Sequence, residues 1–215
     1  MTVGQGAVQR RATGLRRFTA PAPPRPERCE LCGAGTGGGH RHLVDTERRT
    51  LACACRACAM LFENPGSAHG RFRTVPDRWL TDPGHTVDDE AWELLRIPVG
   101  VVFFFRNAAL DRFVALYPSP AGATESELDP ASWQQVLERT RLAAELQPDV
   151  EALLLRRDGD GCACYLVPID ACYELVGRMR LLWQGFDGGA EARAALDNFF
   201  TSAAGRARPY QGGTA

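Results

Sequence analysis

Two pairs of cysteines constrain the fold of this chain more than any other feature. Cys29 and Cys32 form the first pair, Cys55 and Cys58 form the second, and two residues separate the members of each pair. This spacing lets both sulfurs of a pair point at one ion, while backbone amides of the turn donate hydrogen bonds to them. Two such pairs supply the four thiolates of a tetrahedral site, with bonds of about 2.3 Å to zinc. The sequence therefore predicts a metal site at these four residues.

The residues around the two pairs refine this prediction and leave alternatives open. Gly33 directly follows the first pair, and glycine adopts the positive φ of a tight turn without steric cost. Cys53 alternates with Cys55 along a predicted strand, so a site that uses Cys53 and Cys55 stays open. His40 and His42 are alternative ligands, although the simpler interpretation is that they are polar residues of a hairpin strand.

The identity of the metal is a separate question, because zinc and a single iron both accept four thiolates in a tetrahedron. Zinc would be structural, whereas a rubredoxin-type iron would carry electrons. The second pair is followed by Ala59 and lacks the glycine typical of a rubredoxin knuckle, which favours zinc. Disulfides are the weaker interpretation, since the chain shows no secretory leader and this spacing in a reducing cytoplasm is typical of metal sites.

Composition excludes several functions. A net charge of -1 in 215 residues gives no reason to expect nucleic acid or an acidic membrane as partner. Every basic residue is arginine, so a Walker A lysine, a Schiff-base lysine and a kinase-type lysine are absent. No stretch approaches the ~20 continuous apolar residues of a membrane span. We expect a cytoplasmic protein without a membrane span.

Turn-forming and charged stretches divide the chain into four parts. Residues 1–28 are rich in arginine and proline and predict a disordered leader. Residues 29–63 predict a zinc-ribbon, rubredoxin-like metal module. A linker of turn formers places the domain change near Gly70, so residues 71–205 form the second domain. Residues 206–215 predict a disordered tail.

The second domain is predicted to be α+β, with an antiparallel sheet and flanking helices. Apolar periodicity predicts these elements in chain order: a helix with Val87, Ala91, Leu94 and Leu95 on one face and Thr86 at its start; strands at 99–105 and 111–117; a helix after Asp129; a hairpin of strands at 150–155 and 162–167; a helix capped by Asp170; and a last helix through 192–199.

The segment between the first hairpin and the next helix is a candidate partner surface. Residues 118–126 are small, polar and proline-containing, and four of them present hydrogen-bonding groups: Ser119, Thr124, Glu125 and Ser126. An ordinary strand-to-helix crossing is the simpler interpretation of this segment.

The sequence contains no recognisable catalytic set. A cysteine nucleophile requires a histidine base within reach, and all four histidines precede residue 86. The chain also lacks a Gly-x-Ser-x-Gly elbow and a His-Glu-x-x-His helix. Cys162, Cys164 and Cys172 are therefore expected to be small buried apolar residues. We predict a protein without catalytic activity.

Five segments resemble a known family when they are taken together: Cys29–Gly33, His40–Asp45, Ile97–Gly100, Tyr117–Ser126 and Pro168–Val176. As a set, they look like an uncharacterised actinobacterial family whose genes lie among those of NiFe hydrogenases. The likeness covers roughly residues 28–205. It implies an accessory role in making a hydrogenase, or in transferring electrons for it. The expected partner is then a hydrogenase subunit or a maturation protein.

Overall fold

The computed structural model describes residues 27–64, 66–84, 87–126, 130–158, 161–185 and 188–212, without the side chains of residues 38, 130–133 and 158. The predicted leader therefore lies outside the described residues, apart from Glu27 and Arg28. Thr86 and Asp129, which the sequence places at the starts of two helices, lie outside them as well.

A small sheet of three antiparallel strands carries the cysteine pairs. It consists of β1 (Arg41–Asp45), β2 (Thr50–Ala54) and β3 (Phe72–Thr74), in the order β2-β1-β3. A short helix, α1 (Arg56–Met60), follows β2. The sheet continues past Gly70, because β3 pairs with β1. The division of the chain into domains stays a prediction.

A second sheet has seven strands in the order β10-β4-β9-β8-β5-β6-β7. The strands are β4 (Leu80–Thr81), β5 (Val101–Asn107), β6 (Arg112–Ser119), β7 (Gly122–Glu125), β8 (Glu151–Asp158), β9 (Gly161–Pro168) and β10 (Arg208–Pro209). All neighbouring strands are antiparallel except β10 and β4. The two predicted hairpins, β5–β6 and β8–β9, are confirmed. Part of the predicted disordered tail forms β10, which pairs with β4.

Helices cover both faces of the large sheet. They are α2 (Asp89–Leu94), α3 (Pro130–Glu138), α4 (Leu142–Glu145), α5 (Ile169–Leu182) and α6 (Gly189–Arg206). Successive strand residues point to opposite faces: Phe103 and Leu154 pack with α5 and α6, whereas Phe104 and Leu153 pack with α2, α3 and α4. The predicted α+β class is confirmed. Among the described residues, no helix combines the length and apolar character needed to cross a bilayer.

Strand β1 contributes to two different cores. Leu43 is fully buried in a small core with Cys29, Ala54 and Ala59. The next residue, Val44, is buried in the core that the large sheet forms with α5 and α6. Strand β1 therefore packs into both cores, and Leu51 of β2 also packs against the core of the large sheet.

Helix α2 differs in detail from the prediction. Its N-cap is Asp88, whose carboxylate accepts a hydrogen bond from the backbone N–H of Ala91 at 2.8 Å. Leu95 and Ala91 are buried as predicted, but Leu94 is 39% exposed. The helix is only a turn and a half long, so a small rotation moves an edge residue of the predicted face into solvent.

The segment predicted as a loop at 118–126 is mostly a hairpin. Pro118 lies in β6 and pairs with Ala123 of β7. Proline is tolerated here because the pairing of β6 with β5 ends at Leu116, so no partner requires its missing N–H. The prediction of a small, polar loop that crosses from strand to helix was wrong for most of this segment, because these residues pair as a hairpin.

An ion pair with a buried carboxylate fixes the segment that leaves the small sheet. Arg78 donates two hydrogen bonds to Glu151, at 2.8 and 2.7 Å, and the side chain of Glu151 is fully buried at the start of β8. The backbone N–H of Gln147 donates to the same carboxylate at 2.9 Å. Breaking a buried pair by removing one partner leaves an uncompensated charge in the interior, which is strongly destabilising.

We expect Arg78→Met to lower the free energy of unfolding by about 3–5 kcal/mol. The double variant Arg78→Met/Glu151→Leu should lose less stability, because it also removes the buried carboxylate that Arg78→Met leaves without a partner. Arg106→Met is the matched control: it breaks a pair with Asp111 that is also 2.8 Å long but exposed, worth at most about 1 kcal/mol. Urea denaturation measures all three, and a double variant less stable than Arg78→Met would contradict the argument.

Candidate metal centre

The four paired cysteines converge at one point. The sulfurs of Cys29, Cys32, Cys55 and Cys58 all lie within 4.8 Å of one another. The Sγ atoms of Cys32 and Cys55 are 3.8 Å apart, and the edge of a tetrahedron with bonds of 2.3 Å to zinc is about 3.8 Å. This four-cysteine cluster can therefore bind a metal ion.

The first pair lies in a turn closed by backbone hydrogen bonds. The N–H of Gly33 donates to the carbonyl of Cys29 at 2.8 Å, and the N–H of Cys29 donates to the carbonyl of Ala34 at 2.8 Å. Gly33 has a φ of 74°, which is the left-handed conformation that the sequence predicts for it. The turn directs Cys29 into the small core and leaves Cys32 exposed.

The second pair lies in the first turn of α1. Cys55 is the N-cap of this helix, and its sulfur accepts a hydrogen bond from the backbone N–H of Cys58 at 3.5 Å. The first N–H groups of a helix have no partner within the helix, so a sulfur at the N-cap gives one of them an acceptor. Ala59 continues the helix and needs no positive φ. This explains why the second pair lacks the glycine of a rubredoxin knuckle.

In the metal-free cluster, Cys29 is the cysteine whose thiol ionises most readily. Burial opposes ionisation of Cys29, but hydrogen bonds from the backbone N–H groups of Cys55, Cys32 and Leu31 outweigh it and lower its pKa to about 6. Hydrogen bonds with the thiols of Cys32 and Cys55 raise the pKa of Cys58 to about 12. A cation at the centre supplies the charge that further thiolates require.

The remaining candidate ligands form a second group. The sulfur of Cys53 and ring nitrogens of His40 and His42 lie within 4.8 Å of one another. His42 is directly opposite Cys53 in the pairing of β1 with β2, and the rings of His40 and His42 are in contact, with centroids 4.6 Å apart. The structure thus places the three alternative ligands together, apart from the four clustered sulfurs.

Carboxylates surround this second group. Asp170, in the first turn of α5, contacts Nδ1 of His42 at 2.7 Å, and this hydrogen bond raises the pKa of His42. Asp170 is predicted to be a helix cap, but α5 begins at Ile169 and Asp170 contacts the small sheet instead. Burial, followed by the charges of Glu30 and Glu27, raises the pKa of Cys53. Sequence reasoning missed Asp170 because 128 residues separate it from His42.

The predicted partner surface lies at the β6–β7 hairpin, where several of its polar groups contact neighbours. The hydroxyl of Thr124 donates to Ser119 at 2.8 Å, and Arg112 donates to Glu125 at 3.1 Å. The backbone N–H of Ser126 donates to the carbonyl of Ala115 at 2.9 Å. Glu125 also lines an open cavity of about 1030 Å³ between this hairpin and the β1–β2 turn. The structure therefore places the four residues along one hairpin and at its end, with Glu125 beside the cavity.

The cysteines that are not part of either group are buried. Cys162 and Cys164 lie in the core beneath α2, α3 and α4, and Cys172 lies in the core on the opposite face of the sheet. Burial raises the pKa of each of these three thiols. The expectation of small buried apolar residues is confirmed.

The low pKa of Cys29 predicts how metal affinity depends on pH. Protons compete with the ion for each thiol that is protonated in the free protein. Above pH 6, Cys29 is already a thiolate and contributes no proton to this competition; below pH 6, it does. We expect the slope of log affinity against pH to become steeper by about one proton as pH falls through 6. Zinc competition titrations between pH 5 and pH 8 measure it, and a constant slope would contradict the assignment.

Comparisons with known proteins identify a family. Searches of curated proteins and of solved structures each gave no match. Residues 28–207 match the sequence profile of a family described as Family of unknown function (DUF5947). The matched segment includes the four clustered cysteines, the group formed by His40, His42 and Cys53, and all the helices named above. The chain is therefore a member of the DUF5947 family of unknown function.

Proposed function

We propose that this chain is a non-catalytic metal-binding accessory protein in which Cys29, Cys32, Cys55 and Cys58 hold one structural zinc ion. The observation that carries the proposal is the convergence of four sulfurs with tetrahedral spacing. An ion bound there would join the turn before β1 to the start of α1. Structural zinc sites of this kind contribute on the order of 10 kcal/mol or more to folding.

The size of the small core supports a structural role for the ion. Among the described residues, four are fully buried in it, namely Leu43, Ala54, Ala59 and Cys29, and Phe62 and Phe72 pack against it from its edge. A core of this size buries too little apolar area to offset the chain entropy lost on folding, and small modules usually depend on a metal or a disulfide. A metal ion at the cluster would supply that stabilisation.

Exposed apolar side chains beside the centre support a role in protein–protein contact. Leu31 lies between the cysteines of the first pair and is 39% exposed, while Met60 and Leu61 follow the second pair and are 57% and 68% exposed. Because the four sulfurs are within 4.8 Å of one another, these side chains all belong to the region around the metal centre. We call them the apolar rim. Contiguous exposed apolar patches mark interaction sites, and we assign this role to the apolar rim.

The partner that we propose follows from the family resemblance of the five segments quoted above. It is a subunit of a NiFe hydrogenase, or a protein that assists its maturation. The apolar rim is the surface that we assign to this contact, and the β6–β7 hairpin with Ser119, Thr124, Glu125 and Ser126 is a second surface.

A single-iron electron carrier is the second candidate function, and one observation favours it. Cys32 is exposed, so an electron could pass between this sulfur and a docked partner. The second pair counts against it, because it begins a helix and does not form a glycine knuckle. Zinc therefore remains the preferred ion, and metal analysis of protein purified without oxygen and without added metal separates the two.

We expect such protein to hold one tightly bound zinc ion and no visible chromophore. Cys29→Ser should lose the ion and part of the secondary structure, because it removes both a ligand and a member of the small core. Cys162→Ala is the matched control, since it removes a buried thiol outside the cluster. Elemental analysis and circular dichroism measure both. One iron with a reducible red chromophore would favour the electron carrier, and zinc retained by Cys29→Ser would contradict both candidates.

Substitution of the three apolar-rim residues by serine tests whether this surface contacts the partner. We expect Leu31→Ser/Met60→Ser/Leu61→Ser to reduce retention of hydrogenase subunits in a pull-down at least about tenfold, equivalent to about 1.4 kcal/mol. Leu181→Ser is the matched control, because Leu181 is 86% exposed but lies in α5. Zinc content should be unchanged in both variants. If wild-type protein retains no hydrogenase subunit and no maturation protein, the proposed partner is wrong.

A further inference from the structure

The ring nitrogens of His40 and His42 meet in an arrangement that hydrogen bonding between neutral rings does not explain. Their Nε2 atoms are 3.0 Å apart. Nδ1 of His42 faces a carboxylate oxygen of Asp170 at 2.7 Å, and Nδ1 of His40 faces a carboxylate oxygen of Glu27 at 3.0 Å. An ionised carboxylate only accepts hydrogen bonds, so each Nδ1 carries the hydrogen. Both Nε2 atoms then present lone pairs to each other.

Two facing lone pairs at this distance require a positive centre between them, either a proton carried by one of the two rings or a bound metal ion. Histidines that bind a metal through one nitrogen almost always donate the other N–H to a carboxylate or carbonyl, which fixes the tautomer and the ring orientation. Both rings have such a carboxylate, one from the segment before the first cysteine pair and one from α5. The surroundings of the two rings are therefore those of metal ligands.

The spacing of the donor atoms fits one ion. Two nitrogens bound at 2.0–2.1 Å in a tetrahedron are about 3.3 Å apart, close to the 3.0 Å between the two Nε2 atoms. Cys53 adds a sulfur within 4.8 Å of a ring nitrogen of each histidine, and it lies directly across the strand pair from His42. The side chains of His40 and His42 are 19% and 28% exposed, which leaves a route for an ion to enter.

We propose that His40, His42 and Cys53 form a second metal site, separate from the four-cysteine centre, for a divalent first-row transition cation. Two imidazoles and one thiolate suit Zn²⁺, Co²⁺ or Ni²⁺, whereas Mg²⁺ and Ca²⁺ prefer oxygen ligands. Three protein ligands leave the fourth tetrahedral position open to water or to another ligand. Such open positions distinguish reactive or exchangeable sites from closed structural ones. This second site is therefore the exchangeable one.

Asp170 is a positioning residue for this site. It does not face the ion but holds the ring of His42 through Nδ1. It belongs to α5 of the large sheet's helical layer, whereas all three ligands belong to the small sheet or the turn before it. Occupancy of the second site therefore reinforces the contact between the small sheet and α5.

Cobalt is the probe for the test. Full-length protein whose four-cysteine centre is filled with zinc is titrated with Co²⁺ without oxygen, while visible absorption and bound metal are followed. We expect one further ion per chain, with the absorption of tetrahedral cobalt and a thiolate-to-cobalt band. His40→Asn, His42→Asn and Cys53→Ser should each weaken this binding at least about 100-fold, and Asp170→Asn about 10–100-fold, with zinc in the first centre unchanged.

His69→Asn is the matched control, because His69 lies in neither ligand group and has a φ of 57° that asparagine tolerates. It should bind the second ion as the wild type does, and circular dichroism should show that every variant remains folded. The proposal is wrong if wild-type protein binds no second ion, or if Cys53→Ser binds it without loss of affinity and without loss of the thiolate band.

A third result would also overturn it, and would change one ligand of the proposed zinc centre while keeping a single structural ion. X-ray absorption of protein holding a single zinc could show mixed sulfur and nitrogen ligands, with no second ion bound on titration. His40 or His42 would then replace a cysteine in the first centre. Conversely, zinc retained by Cys29→Ser together with cobalt bound at the second site would contradict the proposed four-cysteine centre alone.

Discussion

Strand β1 carries the constraint on which the arrangement of this protein depends. Leu43 and Val44 are consecutive, yet they are buried in two different cores. Side chains alternate along a strand with a period of two, so a shift of one residue in pairing would exchange the two faces. The register of β1 against β2 and β3 therefore has to be specified strongly, and the cysteine cluster lies at the end of the small sheet where an ion would fix it.

Contacts from outside the small sheet hold β1 in the same position. Asp45 is buried at the end of the strand, where Arg71 donates to its carboxylate at 3.2 and 2.8 Å, and this pairing lowers the pKa of Asp45. His42 contacts Asp170 of α5 near the other end. One polar contact near each end, with an apolar residue in each core between them, leaves the strand little freedom to slide.

The sequence was sufficient for features that depend on neighbouring residues. The spacing of the cysteine pairs, the positive φ of Gly33 and the β5–β6 and β8–β9 hairpins all follow from local patterns. It was insufficient where a distant part of the chain decides the outcome. Pro118 is accommodated in a strand only because β5 stops pairing before it, and β10 forms only because β4 offers it an edge. Asp170 is predicted from the sequence to cap the helix that follows it. Only the fold brings its carboxylate into contact with His42.

The grouping of the candidate ligands also required the structure. Cys53 and Cys55 are two residues apart, and the sequence alone allows both to be ligands of one site. The turn of the chain into α1 directs the sulfur of Cys55 toward the first pair, while Cys53 stays in β2 opposite His42. Sequence periodicity cannot reveal a change from strand to helix within three residues, because one helical repeat spans 3.6 residues.

Because Cys32 is exposed, the state of the four-cysteine centre would depend on whether oxidation or metal binding comes first after synthesis. Its sulfur is at the surface and 3.8 Å from that of Cys55, whereas a disulfide requires about 2.05 Å. A small movement of the metal-free turn would let an oxidant remove two electrons and two protons from these thiols. The bridged form would have lost two of its four ligands. Metal binding and oxidation would therefore compete for the same sulfurs, and a bound ion would protect them from oxidation.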